Sequence, residues 1–338
     1  MKIKMKKILI TGTAGFIGSH LAENLLSEGY KVIGIDNFDP YYPRILKEFN
    51  LSFLIGNKRF EFYEIDILNV DLLIDILKEH KPEYIIHCAA KAGVRASVKS
   101  PLEYFKTNVL GTINMLEALR KMKSNSKIIL LSSSSVYGVQ SKTPFSEDFY
   151  PNPTSPYGVS KWSMEVAAKQ YFDIFNLPIA IVRPFSIYGP RGRIDMAPFL
   201  IIKTAEKGEI FMKYGNNKDN KRDWTFIEDF IFGIFNLIRK WDFSKFEIFN
   251  LGNSYPVGID DFVDLEKRLI KEFLGKNLKI EYKPRPNIEL PITFADITKS
   301  KKVFGYNPKV DFEEGLVRFF KFYVKYRDLY LKIWRTKK

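Results

Sequence analysis

A tyrosine and a lysine four residues apart, Tyr157 and Lys161, are the pair in this 338-residue chain best suited to acid–base chemistry. They stand in Ser155-Pro156-Tyr157-Gly158-Val159-Ser160-Lys161, where a proline-rich turn runs into an apolar helical pattern, Trp162, Met164, Val166, Ala167 and Tyr171. Residues four apart on a helix share a face, one turn apart. A cation beside a phenol favours the phenolate, which makes a general base usable near neutral pH. The pair alone fits an ordinary surface helix equally well, so the meaning of the spacing depends on what the rest of the chain builds around it.

The element that must sit opposite is written at the N-terminal end. Lys7 to Thr11 reads as a short apolar strand, followed by Gly12-Thr13-Ala14-Gly15-Phe16-Ile17-Gly18. A helix follows with Ile17, Leu21, Leu25 and Leu26 on one face, then a second strand, Lys31 to Ile35, ending in Asp36. Glycines let backbone approach a pyrophosphate, and a helix start offers free N–H groups and a positive dipole end. Gly12, Gly15, Phe16, Ile17 and Gly18 are therefore candidates for a dinucleotide site. Asp36 is placed to accept hydrogen bonds from the adenosine ribose, and its charge favours NAD over a 2′-phosphorylated cofactor. The glycine spacing is G-x-x-G-x-x-G, and its strand–helix–strand setting is what gives it weight.

Strands and helices keep alternating. Phe60 to Asp66, Tyr84 to Ala89, Lys127 to Ser132 and Leu177 to Val182 read as strands. Val70 to Glu79, one long helix from Pro101 to Met122, and a helix from about Tyr157 to Asn176 lie between them. This order predicts an α/β fold, a Rossmann-type doubly wound parallel sheet covered on both faces. Ligands bind at the carboxyl ends of such strands. That makes Asp66, the segment Ala90 to Ser97, and the cluster Ser132-Ser133-Ser134-Ser135 the polar groups of interest. A serine cluster can also be a turn that satisfies its own backbone. From Arg191 onward the segments become shorter and more polar, which predicts a smaller C-terminal α/β lobe holding the substrate. The expected division is 1–190 for a nucleotide-binding domain and 191–338 mainly for that lobe, interleaved with the first.

Composition narrows the classes. Apolar residues make up 46% and charged residues 27%, as in a soluble globular protein. One cysteine, Cys88, excludes an internal disulfide and a cysteine-built metal site, and three scattered histidines argue against metal catalysis. No run reaches the length of a membrane span and the basic start does not read as a signal peptide, so a cytoplasmic protein is expected. The net charge of +14 would suit a nucleic-acid or membrane-surface binder. The excess is Lys interleaved with Glu and Asp, which points instead to a solvated surface with a local basic site for an acidic small molecule. Neither nucleic acid nor membrane is expected as a partner. Aromatic positions from Phe319 to Trp334 fall at helical spacing, which fits a helix packed on the small lobe better than one lying on a membrane.

Taken together, Thr11 to Gly18, Asp36, the serine cluster before Val136-Tyr137-Gly138, and Tyr157 with Lys161 resemble an extended short-chain dehydrogenase/reductase over roughly residues 6–325. Within that group the chain is similar to NAD-dependent nucleotide-sugar 4-epimerases, most of all the UDP-glucuronate 4-epimerases. The pointers are Asp36-Asn37 followed by Tyr41-Tyr42, His87 to Ser97, and Tyr188 to Ala197. The resemblance implies that bound NAD takes hydride from the sugar C4 and returns it to the other face of a transient 4-keto sugar. Tyr157 would be the base, Lys161 its activator, and Ser133 a second hydrogen-bond partner of the 4-oxygen. It also implies that Asn37, Asp66, Ile67, Ala89, Ala90, Lys91 and Pro184 border the cofactor, with Asn108 beneath the active site. Met196 to Phe199, Phe211 to Tyr214, Arg222 and Arg285 would belong to the UDP site, and the product would feed polysaccharide assembly. A homodimer is implied, through the helices at 101–122 and 156–175.

Sister activities put an acid just before Val-Tyr. Here Ser134 and Ser135 are neutral, which argues against 4,6-dehydration and decarboxylation. A 4-keto uronate is a β-keto acid that loses CO₂ when the breaking bond stands perpendicular to the carbonyl. Ser134, Ser135 and Ser186 are the candidates to hold its carboxylate away from that geometry. Arg95 and Arg193 are basic candidates for the diphosphate or the carboxylate. A UDP-glucose or UDP-N-acetylglucosamine 4-epimerase, and after it a UDP-glucuronate decarboxylase, are the alternative readings. A non-catalytic NAD-binding regulator is another. Asn287-Ile288-Glu289 stands where the family usually has Pro-Gly-Asp, which leaves the register around Arg285 open by about a residue.

Overall fold

The structure, a computed structural model, describes residues 5–286 and 290–336. Asn287, Ile288 and Glu289, on which the register of Arg285 turns, lie outside the described residues.

Apolar, β-branched runs form the centre of the molecule. β1 (Lys7–Thr11), β2 (Lys31–Asp36), β3 (Phe60–Glu64), β4 (Tyr84–His87), β5 (Lys127–Leu131) and β6 (Ile179–Pro184) join a strand from much later in the chain, Glu247–Leu251. The sheet order is Glu247–Leu251, β6, β5, β4, β1, β2, β3, parallel throughout. Alternate residues of one strand enter opposite layers: Leu9, Ile33, Ile85, Ile128 and Ile181 pack on one face, Ile8, Val32, Ile86, Ile129 and Val182 on the other. Both faces are covered, as a parallel sheet requires. The order in which successive strands are added reverses between β1 and β4, and the crevice there is the one such folds use for ligands.

Seven of the helices position the site. α1 (Phe16–Ser27) starts directly at the glycine turn, and α2 (Arg44–Ser52) covers it from the side. α3 (Val70–His80) begins at Asn69, whose side chain accepts from the Leu72 N–H, a standard cap. α4 (Val94–Lys99) and α5 (Pro101–Tyr104) follow β4. Where one continuous helix was expected, residues Phe105–Leu110 form a π-helix that separates α5 from α6 (Gly111–Lys121). π-turns cluster at functional sites because they re-aim a side chain, here Asn108. α7 (Pro156–Phe175) carries Tyr157 and Lys161; Pro156 fits its first turn and Ser155 caps it by accepting from Gly158 N–H. The expected strand ends shift by one or two residues: β3 stops at Glu64, β4 at His87 and β5 at Leu131, while β6 extends to Pro184.

The smaller elements of the C-terminal half include the parallel pair Ile210–Tyr214 with Lys279–Lys283 and the antiparallel pair Lys221–Asp223 with Pro256–Gly258. α8 (Ala197–Lys207) is pinned by Glu206, which accepts two bonds from Arg327 and one from the Tyr323 hydroxyl and pairs with Lys276. The aromatic C-terminal stretch packs inward: Phe319, Phe320, Tyr323, Tyr330 and Trp334 are buried. Among the described residues no helix is long and apolar enough to cross a membrane.

Candidate active site

Two clefts meet at the carboxyl ends of the strands. The first, about 210 Å³, is lined by Gly12, Gly15, Phe16, Ile17, Gly18, Asp36, Asn37, Ile67, Ala89, Ala90, Lys91 and Pro184. Close approach explains the glycines. A Cβ on Gly18 would lie 2.2 Å from the Gly12 carbonyl oxygen, and one on Gly12, whose φ is +70°, would lie 2.8 Å from the Ala89 nitrogen. Gly15 precedes α1 without any side-chain cap, so the first N–H groups of the helix are left for a ligand. Asp36 ends β2. One of its oxygens accepts from Ala14 N–H at 3.1 Å, the other from Phe38 N–H at 2.8 Å and from the Lys47 ammonium at 3.3 Å. A carboxylate has about four lone-pair sites, so one remains for a hydroxyl.

This donor set fits the diphosphate and ribose of NAD, which is the family's cofactor. Asp66 does not line the cleft itself; Ile65 and Ile67 do, and Asp66 orients Asn37 by accepting from its amide at 2.9 Å. Asn108 also lies behind the wall. It accepts from Lys91 N–H at 2.8 Å, donates to the Lys91 carbonyl at 3.0 Å and donates to Ser160 Oγ at 2.9 Å. The π-turn therefore fixes the Lys91 backbone rather than meeting a ligand.

Tyr157 and Lys161 line the same cleft from α7. The Lys161 ammonium donates to the Leu131 carbonyl at 2.6 Å, and burial pulls its pKa down to about 8. Burial pushes the Tyr157 phenol up, while its hydrogen bond with Ser133 and the charge of Arg193 pull it down. In the protein alone the groups beside the phenol that favour its ionised form are Ser133 and Arg193. His87 and Cys88 flank the lysine; burial lowers the imidazole to about 3 and raises the thiol to about 12, so both are neutral.

The second cleft, about 390 Å³, opens on the other side of the serine turn and is lined by Arg95, Ser134, Ser135, Ser186, Tyr214, Arg222 and Trp224 among others. Arg95 stacks over the Tyr214 ring at 4.8 Å. Three expected members lie elsewhere. Phe199 is buried in the core, with its ring 4.7 Å from Phe319 and 4.9 Å from Tyr330. Met196 is the residue before α8 and packs against that core. Arg285 follows the edge strand Lys279–Lys283 and sits behind Gly215, so it borders Tyr214 without lining the cleft. Arg193 lines the first cleft instead of the second: it pairs with Asp195, donates to the Ala92 carbonyl at 3.2 Å and lies over Tyr41.

The sequence leaves Asp39, Lys47 and Glu165 unmarked and offers Tyr41 and Asp195 only within pointers to the family. Asp39 pairs with Lys91 at 2.8 Å, and the Tyr41 hydroxyl donates to Asp195 at 2.8 Å, so residues 37–43 form a strap across the cofactor cleft. Lys47 reaches Asp36 from α2, a helix not assigned from the sequence although Leu46, Asn50 and Leu51 share its buried face. Glu165 follows Lys161 by four residues, a spacing that could have singled it out.

A Rossmann-type sheet with a glycine turn, a ribose-side acid and a Tyr/Lys pair at the cleft makes this an enzyme of the extended short-chain dehydrogenase/reductase class. The chain belongs to the GDP-mannose 4,6 dehydratase family, whose pattern matches residues 9–319. It is 38% identical to a UDP-glucuronate 4-epimerase of Thermodesulfobacterium geofontis over 92% of this chain and 94% of that one. The crystal structure of UDP-glucuronic acid 4-epimerase from Bacillus cereus with UDP-glucuronic acid and NAD superposes with a TM-score of 0.86 at 37% identity, covering 94% and 99% of the two chains. A UDP-glucose 4-epimerase from Thermotoga maritima with UDP-glucose gives 0.82 at 30% identity, over 94% of this chain and 99% of that one.

Proposed function

We propose that this protein interconverts UDP-glucuronate and UDP-galacturonate by NAD-dependent epimerisation at C4, through a transient 4-keto sugar. The observation that carries the reading is the junction of the two clefts. Ser132 and Tyr157 face the cofactor side, while neutral Ser134, Ser135 and Ser186 face the substrate side with Arg95 and Arg222. When bound, NAD supplies a reversible two-electron acceptor and a positive ring charge beside Tyr157.

The residue roles are as follows. Tyr157 takes the proton of the 4-hydroxyl and gives it back after the sugar has turned over. Ser133 holds the 4-oxygen with Tyr157, and Lys161 supplies positive charge behind the phenol while it stays protonated. Arg95 and Arg222 pair with the diphosphate, for which a guanidinium's planar fork is suited. Ser134, Ser135 and Ser186 donate to the C5 carboxylate and keep the C5–C6 bond near the carbonyl plane, where CO₂ loss is slow. A glutamate in that turn would repel the carboxylate.

The test is incubation of purified protein with UDP-glucuronate and no added NAD, with products resolved by chromatography and NMR. UDP-galacturonate is expected. A UDP-pentose would mean that the serines do not protect the carboxylate, and turnover of UDP-glucose alone would favour the neutral-sugar epimerase. Tyr157→Phe is expected to abolish turnover while NAD and UDP-sugar remain bound; substantial residual activity would remove the tyrosine from its role.

Two wider features belong to the same proposal. Leu102, Phe105 and Leu110 beside α6, and Val166, Ile174 and Phe175 on α7, are exposed apolar residues that support a homodimer through these helices. Light scattering at twice the chain mass would agree with it, and a monomer at assay concentration would not. A single cysteine, with no partner for a disulfide, suits a reducing compartment, and we place the reaction in the cytoplasm, where it would supply an acidic sugar donor for polysaccharide assembly. Fractionation of the cell tests that placement.

A further inference from the structure

We infer that Glu165, acting through Ser132, is a positioning residue for the epimerisation proposed above. Tyr157, Lys161 and Glu165 recur every four residues along α7 and face the end of β5. Each turn grips a different residue of one short stretch. The Lys161 ammonium donates to the Leu131 carbonyl at 2.6 Å. The Glu165 carboxylate accepts from the Ser132 hydroxyl. Ser133, the next residue, is the one that acts on the Tyr157 phenol, and its hydroxyl is fixed by the Ser135 N–H. Two of these three contacts hold the strand end, and the third is where chemistry is proposed.

Glu165 can serve as an anchor because its own position is fixed. It accepts from Arg183 Nε at 3.0 Å and Nη2 at 2.7 Å, and the two side chains are 4% and 2% exposed. Arg183 lies on β6, the neighbour of β5, and its guanidinium is 4.7 Å from the Tyr137 ring, on the far side of the serine turn. The Tyr137 hydroxyl in turn donates to Asn250 at 2.7 Å. Buried charges with paired partners are held in one geometry. Ser132 is also tied by its N–H to the Val182 carbonyl at 2.8 Å. Its side chain and backbone therefore fix the residue immediately before Ser133, whose hydroxyl accepts from Ser135 N–H at 3.1 Å. A shift of Ser132 moves Ser133 relative to Tyr157, and misplacement of a catalytic group by about 1 Å can lower a rate a hundredfold.

The competing explanation is that Glu165 and Arg183 only stabilise the fold. Ser132→Ala separates the two, because it removes one hydrogen bond and leaves the ion pair intact. Wild type, Ser132→Ala and Ser132→Thr are compared for kcat and KM on UDP-glucuronate, for NAD retained through gel filtration, and for melting temperature. For Ser132→Ala a fall in kcat of about tenfold is expected, short of the hundredfold that a full 1 Å misplacement can cause. KM and NAD content should stay near wild type, and Ser132→Thr, which restores the hydroxyl, should recover kcat. An unchanged kcat in Ser132→Ala, or a loss in which KM rises and NAD is shed to match, would overturn the inference while an active wild type upholds the proposed function. A wild type idle on UDP-glucuronate would overturn both.

Discussion

The two clefts offer a phosphate opposite chemistry. The cofactor cleft presents backbone: the glycine turn and the uncapped start of α1, with its one arginine, Arg193, already committed to Asp195. The substrate cleft presents side chains, Arg95 and Arg222, brought together from α4 and from the strand Lys221–Asp223. Backbone recognition needs residues that are adjacent in the chain, and it tolerates no Cβ. Side-chain recognition can draw on any position that folding delivers. The first therefore resists substitution and the second can be tuned.

That contrast can be broken by experiment. The largest effect should come from Gly18→Ala, whose methyl meets the Gly12 carbonyl at 2.2 Å. Overpacking of this kind costs about 1–3 kcal/mol of stability, and NAD retention should be lost, read from the absorbance of the purified protein. Full NAD content in this variant would mean that the glycine turn is not the cradle. Arg222→Ala should raise KM for the UDP-sugar about 10- to 100-fold, the worth of a charge-assisted hydrogen bond, with NAD content unchanged. Loss of both ligands together would show that the clefts are not separable. The smallest effect is at their junction. Burial lowers Lys161 to about 8, so its ammonium is present below that pH and lost above it. kcat should fall as pH rises through 8, by about tenfold at pH 9 if only the charged form is active; a flat profile to pH 9 would take that charge out of the mechanism.

The same contrast explains what could be read from the chain. Gly12 to Gly18 with Asp36, and Tyr157 with Lys161, are local patterns, and the structure sets them around one cleft. Phe199 illustrates the opposite case. Its place near the substrate was carried over by resemblance, yet it faces Phe319 and Tyr330, partners more than a hundred residues away that no local pattern announces. Arg193 was expected at the diphosphate or carboxylate because arginine suits both, but Asp195 two residues on and Tyr41 from the strap claim it first. The π-turn at Phe105–Leu110 was missed because its apolar spacing differs from an α-helix by a single residue.

The strand Glu247–Leu251 has a consequence for how the protein is made. It pairs with β6 at the edge of the central sheet, although nearly seventy residues separate the two in the chain. Synthesis runs from the N-terminus, so β6 leaves the ribosome with one side unpaired and stays so until residue 251 has followed. A nascent chain with only about its first 190 residues outside the ribosome has every strand of the sheet but the last, and an open edge at β6 that neighbouring chains can join. Pausing within that interval would favour aggregation through β6, and pairing with Glu247–Leu251 is what covers that strand.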